Sequence, residues 1–146
     1  MGTDGFSAAE RAAMAERAAE LREARGLKGA AKAAREYQAC LDAIADLEGL
    51  DRAVAQRLHV IVSEEARQLA PKTWYGFPSY AFDGKVVVFF QPMAKFGTRF
   101  GTVGFTENAQ LDDGAMWATS FAVVELTDAV EQELRRLVRR AAPRAQ

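Results

Sequence analysis

The amino-acid sequence predicts an α+β domain in which helices come first, a small antiparallel sheet follows and a C-terminal helix closes the chain. The spacing of apolar residues changes at Pro71: before it they recur every three or four positions, and after it they alternate or run continuously. Asp83-Gly84 lies between two apolar, β-prone runs, which is the composition of a two-residue hairpin turn. The predicted sheet has four or five strands.

A polar, alanine-rich helix and a loop are predicted for residues 1–29, ahead of the main domain at residues 30–146. Ser7 and Glu10 have the spacing of a capping box, in which each side chain accepts a hydrogen bond from the main-chain N–H of the other residue. The helix is expected to end at Gly26, because glycine readily adopts the backbone conformation that terminates a helix.

This first helix carries little apolar surface. Met14 and Leu21 are its only large apolar residues, and Arg and Glu fill much of the remainder. Such a helix either leans on the domain as a solvated element or serves as an arm that finds a partner. In both cases we expect it to contribute little to the core, since burial of apolar surface is the main favourable term in folding.

Two longer apolar stripes predict a pair of packed helices. The first spans residues 30–47, and the second begins near Asp51, its expected N-cap, and cannot continue past Pro71. Cys40 falls inside the first stripe, which favours a small buried side chain over a reactive thiol. The stripes are Tyr37, Cys40, Leu41, Ile44 and Leu47 in the first helix and Val54, Leu58, Ile61, Val62 and Leu69 in the second.

Five extended segments are predicted in the second half of the chain, at residues 73–77, 80–82, 85–91, 100–106 and 120–126. In the third segment both alternating sets of side chains are apolar, which predicts a central strand covered on both faces. Helices are expected on one face, and loops or aromatic side chains on the other. Thr127 is expected to cap the last helix, whose acidic residues come early and whose arginines come late, as the helix dipole favours.

Composition limits the classes of function. The formal net charge is −1, so the sequence does not favour nucleic-acid binding. A single cysteine excludes an intrachain disulfide and favours a reducing compartment, and no apolar run reaches the length of a membrane span. We therefore expect a cytoplasmic protein, monomeric or dimeric, whose partner is a small molecule or another protein.

The sequence contains no recognisable catalytic motif. His59 is the only histidine, and it lies beside the apolar stripe of its helix, away from a predicted nucleophile or acidic partner. Motifs typical of hydrolases, nucleotide-binding loops and zinc sites are missing. The chain is therefore interpreted as a non-enzymatic protein without a cofactor. An enzyme of unrecognised type is the alternative, which a buried polar cluster around His59 would favour.

Aromatic residues near the predicted hairpin are the main candidates for a binding site. Alternation along a strand is expected to place Trp74 and Tyr75 on opposite faces, so one set packs in the core and the other lines a concave site. At least one of Tyr75 and Tyr80 is expected on the solvent side. Packing of all the rings into a two-sided core is the alternative. The candidates are Trp74, Tyr75, Phe77 and Tyr80, with Gln91, Lys95, Arg99 and Trp117 as accompanying or rim residues.

A motif extends through the predicted hairpin: Tyr75, Gly76, Phe77, Pro78, Tyr80, Gly84 and Lys85. It resembles the YdhG-like family, a domain of unknown function whose members usually have Tyr-Gly-Met-Pro, an aromatic residue, then Gly-Lys and a hydrophobic strand. The similarity covers residues 40–140, while the alanine-rich segment before Cys40 and the basic loop at residues 94–100 depart from the family pattern.

The resemblance also implies an alternative function, because members of the family are often labelled iron chaperones or frataxin-like. Iron is bound by hard oxygen ligands or imidazole gathered in one place. The candidate ligands are Glu107, Asp112 and Asp113. Asp112-Asp113-Gly114 is equally an ordinary turn composition, in which Asp bonds to its own backbone and Gly takes an unusual φ.

Overall fold

Helices precede and follow a sheet in the computed structural model, which describes residues 5–144 and confirms the predicted α+β class. The elements are α1 (Ala8–Ala24), α2 (Gly29–Ala45), α3 (Gly49–Glu65), β1 (Ala70–Trp74), β2 (Phe77–Phe82), β3 (Lys85–Gln91), a short α4 (Met93–Phe96), β4 (Gly101–Phe105), β5 (Ser120–Val123) and α5 (Asp128–Ala141).

The sheet is a simple meander of five antiparallel strands in the order β1-β2-β3-β4-β5. Strand β3 is therefore central, as predicted from its two apolar faces. The predicted hairpin at Asp83-Gly84 is confirmed: these residues have φ of 54° and 79°, and Phe82 pairs with Lys85 across the turn. Two successive positive φ values match the twist of the flanking strands.

Residues 73–77 do not form the single strand that the sequence suggested. The chain reverses direction at Tyr75-Gly76, where φ is 55° and 84°, and Trp74 pairs with Phe77 across this second tight turn. Directly paired residues of neighbouring strands project from the same face of a sheet. The predicted separation of Trp74 and Tyr75 onto opposite faces is thus wrong, because that alternation applies only within a continuous strand.

Helices α2, α3 and α5 cover one face of the sheet and form the main core with it. The register aligns Tyr80, Val88 and Phe105 across three strands of this face. The core also includes Leu58 of α3 and Val138 of α5, and neither has solvent-exposed surface. Burial of these side chains supplies most of the stability of the fold.

Asp51 has a different role from the one predicted. Helix α3 begins at Gly49 with Glu48 as its N-cap, so Asp51 lies inside the first turn. Its buried carboxylate accepts hydrogen bonds from the main-chain N–H groups of Met93 (2.8 Å) and Ala94 (3.0 Å). Asp51 therefore caps α4, which fixes the loop after β3 against the helical layer.

Helix α1 leans on the opposite face of the sheet, which is one of the two roles considered for it. The predicted capping box is present, with Glu10 N–H donating to Ser7 Oγ at 3.0 Å and Ser7 N–H donating to Glu10 Oε1 at 2.8 Å. Ala13 is the one buried residue of α1. The helix covers the β1–β2 end of the sheet without joining the main core cluster.

The Asp83-Gly84 turn yields a stability prediction. A Cβ built on Gly84 meets no atom within 4 Å, so substitution there tests the positive φ and not a steric clash. We expect Gly84→Val to lower the free energy of unfolding by about 1–2 kcal/mol, because a β-branched residue is strained at positive φ. Lys85→Val, at the exposed neighbouring position, is the control for side-chain type. Equal melting temperatures of the two variants would contradict the turn assignment.

Candidate functional site

Five aromatic rings form a continuous aromatic cluster on the face of the sheet opposite the main core: Trp74, Tyr75, Phe77, Phe89 and Phe96. The centroid of the Phe89 ring lies 5.4 Å from that of Trp74 and 5.8 Å from that of Phe77. Phe96 of α4 lies 5.5 Å from Phe77, and Tyr75 lies 5.1 Å from Trp74. These edge-on and tilted contacts are the arrangements that aromatic pairs prefer.

Strand register brings the rings of the aromatic cluster to one face. Trp74 and Phe77 are paired across the tight turn, and Phe89 pairs with Ser79, two residues further along β2 on the same face. On the other side of β3, Phe89 pairs with Gly104. A Cβ on Gly104 would lie 2.3 Å from the Phe89 Cζ atom, so only glycine allows the ring to lie over β4.

A groove of about 380 Å³ separates the aromatic cluster from α1 and the residues before it. Phe6, Ala13 and Met14 line the α1 side, and half of Phe6 and two fifths of Met14 are exposed to solvent. Gln91 and Glu10 also line the groove, which is otherwise apolar. Its volume and apolar lining fall within the range of sites for small molecules, and the groove is shallow and open to solvent.

The Tyr75-Gly76 turn binds a carboxylate of α1 at the edge of this groove. Glu20 Oε1 accepts a hydrogen bond from Tyr75 N–H at 3.2 Å, and Oε2 accepts one from Gly76 N–H at 2.9 Å. Arg17 forms a salt bridge with Glu20 at 3.3 Å. Lys95 lies above the turn, since a Cβ on Gly76 would be 2.6 Å from its Nζ atom. Two main-chain N–H groups and Arg17 therefore bind the Glu20 carboxylate, while Lys95 and Glu16 lie against Gly76.

The sequence-predicted aromatic candidates divide between the two faces of the sheet. Trp74, Tyr75 and Phe77 line the groove together with Gln91. Tyr80 does not: its exposure is 0 %, and it lies in the main core. Tyr80 lies three positions after Phe77 in β2, so the two side chains project from opposite faces of the strand. The register pairs Tyr80 with Val88 of the main core. The expectation of a solvent-side tyrosine thus applies to Tyr75 alone.

The predicted rim residues are dispersed over the surface. Lys95 lies beside the Tyr75-Gly76 turn, whereas Arg99 stacks over the Phe100 ring at 5.3 Å in the exposed loop before β4. Trp117 lines a separate depression with Met116 and residues of α5. Phe89 and Phe96, which complete the groove, were missed as site residues, because apolar side chains in a strand or short helix carry no signal that separates a groove from a core.

A buried hydrogen-bond chain around Tyr80 was also missed by the sequence analysis. Cys40 Sγ donates to the Tyr80 hydroxyl oxygen at 3.8 Å, and that hydroxyl is hydrogen-bonded to His59 Nδ1 at 3.0 Å. His59 was expected to lie apart from Cys40, but Tyr80 connects them. These residues are distant in sequence, so only the packing of α2, α3 and β2 brings them together.

The chain of polar groups at Tyr80 lacks the properties of a catalytic site. Burial raises the pKa of the Cys40 thiol and raises that of the Tyr80 hydroxyl well above its usual value, so both groups stay protonated. Burial lowers the pKa of His59, which keeps the imidazole neutral. Because Cys40 and Tyr80 have no exposed surface, a substrate cannot contact them. The hydrogen bonds satisfy a buried hydroxyl.

Several acidic side chains in the described part of the chain form salt bridges with arginine. Arg135 of α5 binds Glu64 (2.8 Å), Glu65 (3.0 Å) and Glu131 (3.0 Å), which connects α5 to the end of α3. Hydrogen bonds from Arg139 and Arg135 lower the pKa of Glu65.

The proposed iron ligands Glu107, Asp112 and Asp113 are all exposed, and Arg140 donates to the Asp112 carbonyl at 2.8 Å. Within residues 5–144, no group of three or more His, Cys, Asp or Glu side chains is arranged to hold a metal ion.

Comparison with protein-family models, with curated proteins and with solved structures gives no match to this chain. The resemblance to the YdhG-like family therefore stays a prediction from the sequence motif. No helix within residues 5–144 has the length and apolar character needed to cross a bilayer.

His59 yields a prediction about pH. Its pKa is lowered by burial from 6.5 in the unfolded chain, so the unfolded state binds the proton more readily. The stability from neutral His59 is complete above pH 6.5 and is lost as the pH falls toward the folded-state pKa. We expect the free energy of unfolding of the native protein to decrease relative to that of His59→Gln across this interval. Parallel pH profiles from chemical denaturation would contradict the lowered pKa.

The dispersed carboxylates yield a prediction about iron. We expect anaerobic calorimetry with ferrous iron to show only weak, unselective binding, because a tight site needs several oxygen or imidazole ligands in one place. Asp112→Ala and Asp113→Ala should leave the titration unchanged. A stoichiometric site with micromolar affinity that either substitution removes would instead support the iron-binding alternative.

Proposed function

We propose that this chain is a non-enzymatic binding module that holds an apolar small molecule in the groove between α1 and the aromatic cluster. The observation that carries the proposal is the groove itself, an apolar space of about 380 Å³ that is lined by rings on one side and by a largely polar helix on the other. A peptide side chain of a protein partner is a second occupant that the same space fits.

Partial exposure of the aromatic cluster supports a binding role. Trp74, Tyr75, Phe89 and Phe96 are all only half-buried, although Tyr80, Val88 and Phe90 on the opposite face of β2 and β3 are fully buried. Apolar surface left in contact with water is unfavourable by about 25 cal/mol per Å², so a ligand that covers these rings gains free energy by displacing water. The rings are large and rigid, which limits the entropy lost on binding.

The groove is also held in place by contacts outside it. Asp51 caps α4 and so positions Phe96, while the Phe89 ring is supported by Gly104 of β4. Because these supports belong to the sheet and to the main core, the aromatic wall is pre-formed. A pre-formed site binds with a smaller ordering cost than one that must be assembled on binding.

The proposal is tested with two phenylalanines that lie four residues apart. Phe96 lines the groove and Phe100 does not, although both are half-buried. In a Trp117→Phe background, Trp74 is the only tryptophan and reports on the groove by energy transfer to the neutral apolar probe N-phenyl-1-naphthylamine. We expect Phe96→Ala to weaken probe binding at least about tenfold, as loss of roughly half a buried Phe implies. Phe100→Ala should leave binding unchanged.

Two results would contradict the proposed function. One is failure of the probe to bind to the native groove, with no energy transfer from Trp74. The other is an equal effect of Phe96→Ala and Phe100→Ala on probe affinity after both variants have been shown to unfold cooperatively.

A further inference from the structure

We propose that the ligand of the groove carries a carboxylate that binds to the main-chain N–H groups of Tyr75 and Gly76, and that Glu20 occupies this position in the free protein. The inference rests on the proposed function, since it assigns the polar end of the same apolar ligand. The class of ligand is an aliphatic or aromatic carboxylic acid, with its apolar part over the aromatic cluster and its anionic end at the β1–β2 turn.

The geometry at the turn is that of a carboxylate-binding site. Both N–H groups point outward from consecutive residues with positive φ, and each binds a different oxygen of Glu20, at 3.2 and 2.9 Å. Successive main-chain N–H groups in such a turn form a concave site for an anion. Hydrogen bonds to a charged acceptor are stronger than those between neutral groups.

A cation and a second carboxylate side chain both lie beside the turn. The Lys95 ammonium and the Glu16 side chain pack against Gly76, and within residues 5–144 no acidic side chain forms a salt bridge with Lys95. Arg17 belongs to α1, as Glu20 does, whereas Lys95 belongs to α4. The site thus keeps the Lys95 cation and two N–H donors when the Glu20 side chain is displaced.

The turn adjoins the groove through Tyr75. Tyr75 supplies an N–H group to Glu20 and its ring lines the groove, while Gly76 and Glu20 line the neighbouring depression. A molecule with its carboxylate at the turn therefore reaches the groove past the ring of Tyr75. The Tyr75 and Phe77 rings stack with centroids 6.4 Å apart.

The contact of Glu20 with the turn is suited to exchange with such a ligand. Helix α1 contributes only Ala13 as a buried residue, and its large apolar residues Met14 and Leu21 are exposed. The contact through Glu20 is therefore a principal polar attachment of α1 to the sheet. A ligand carboxylate that replaces Glu20 would form the same hydrogen bonds at the turn, so the exchange leaves no N–H group unsatisfied.

The inference is tested by comparing decanoate with decanamide, which share the alkyl chain and differ in charge. Each probe displaces N-phenyl-1-naphthylamine from the groove, and the measured quantity is the affinity for decanoate divided by the affinity for decanamide. A variant that weakens the α1 wall lowers both affinities alike and leaves this ratio unchanged. We expect Glu20→Ala to raise the preference for decanoate about tenfold, because the internal competitor is removed. Lys95→Met in the Glu20→Ala background should lower the preference for decanoate about threefold.

Matched variants isolate the contribution of Glu20. Glu23→Ala removes the same charge from the same helix but from a residue that pairs with Arg35, so the preference should equal that of the native protein. Glu20→Gln keeps the side-chain length. This variant is used instead of Glu20→Ala if the alanine variant does not unfold cooperatively. Decanoate, but not decanamide, should shift the ¹⁵N–¹H resonances of Tyr75 and Gly76 in the Glu20 variant.

The possible failures are distinguishable. Binding of both probes with an unchanged ratio in the Glu20 variants, and with no shift at Tyr75 and Gly76, overturns the carboxylate inference and leaves the groove as a binding site. Failure of both probes to displace the naphthylamine in every variant overturns the proposed function, and the carboxylate inference with it.

Discussion

The reversal of the chain at Tyr75-Gly76 is the constraint on which both faces of the sheet depend. Because the turn has only two residues, Trp74 and Phe77 must pair directly, and their side chains emerge on one face. The same turn fixes the phase of β2, which places Tyr80 on the other face, where it binds His59 and Cys40. One short turn thus determines which aromatic residues form the groove and which form the core.

The two faces differ in how completely they are covered. Three helices bury one face, and the hydrogen-bond chain through Tyr80 shows that polar groups there are satisfied internally. On the other face, α1 covers the aromatic cluster only in part and is attached through Glu20. This division is consistent with a stable layer that supports a less stable one, the usual arrangement for elements that move on binding.

Charge contributes locally in this protein, where the net charge of −1 is too small to create a strong overall field. Arg135 connects α3 and α5 through three carboxylates near the surface, where such pairs add little stability individually. Around the β1–β2 turn, by contrast, Glu20 is 13 % exposed and lies against two N–H donors. Partial removal from water strengthens these interactions.

The sequence alone determined the order of the elements apart from α4, the capping box at Ser7 and Glu10, the Asp83-Gly84 hairpin and the central position of β3, because these depend on local composition and on the period of apolar residues. It could not separate Tyr80 from Tyr75, since a shift of one residue in register exchanges the faces of a strand and the second turn was not recognised. The contacts of Asp51 with α4, of His59 with Tyr80, and of Glu20 with the turn were decided by the tertiary structure. Each joins residues that are far apart in sequence, and their meeting depends on how whole helices pack against the sheet.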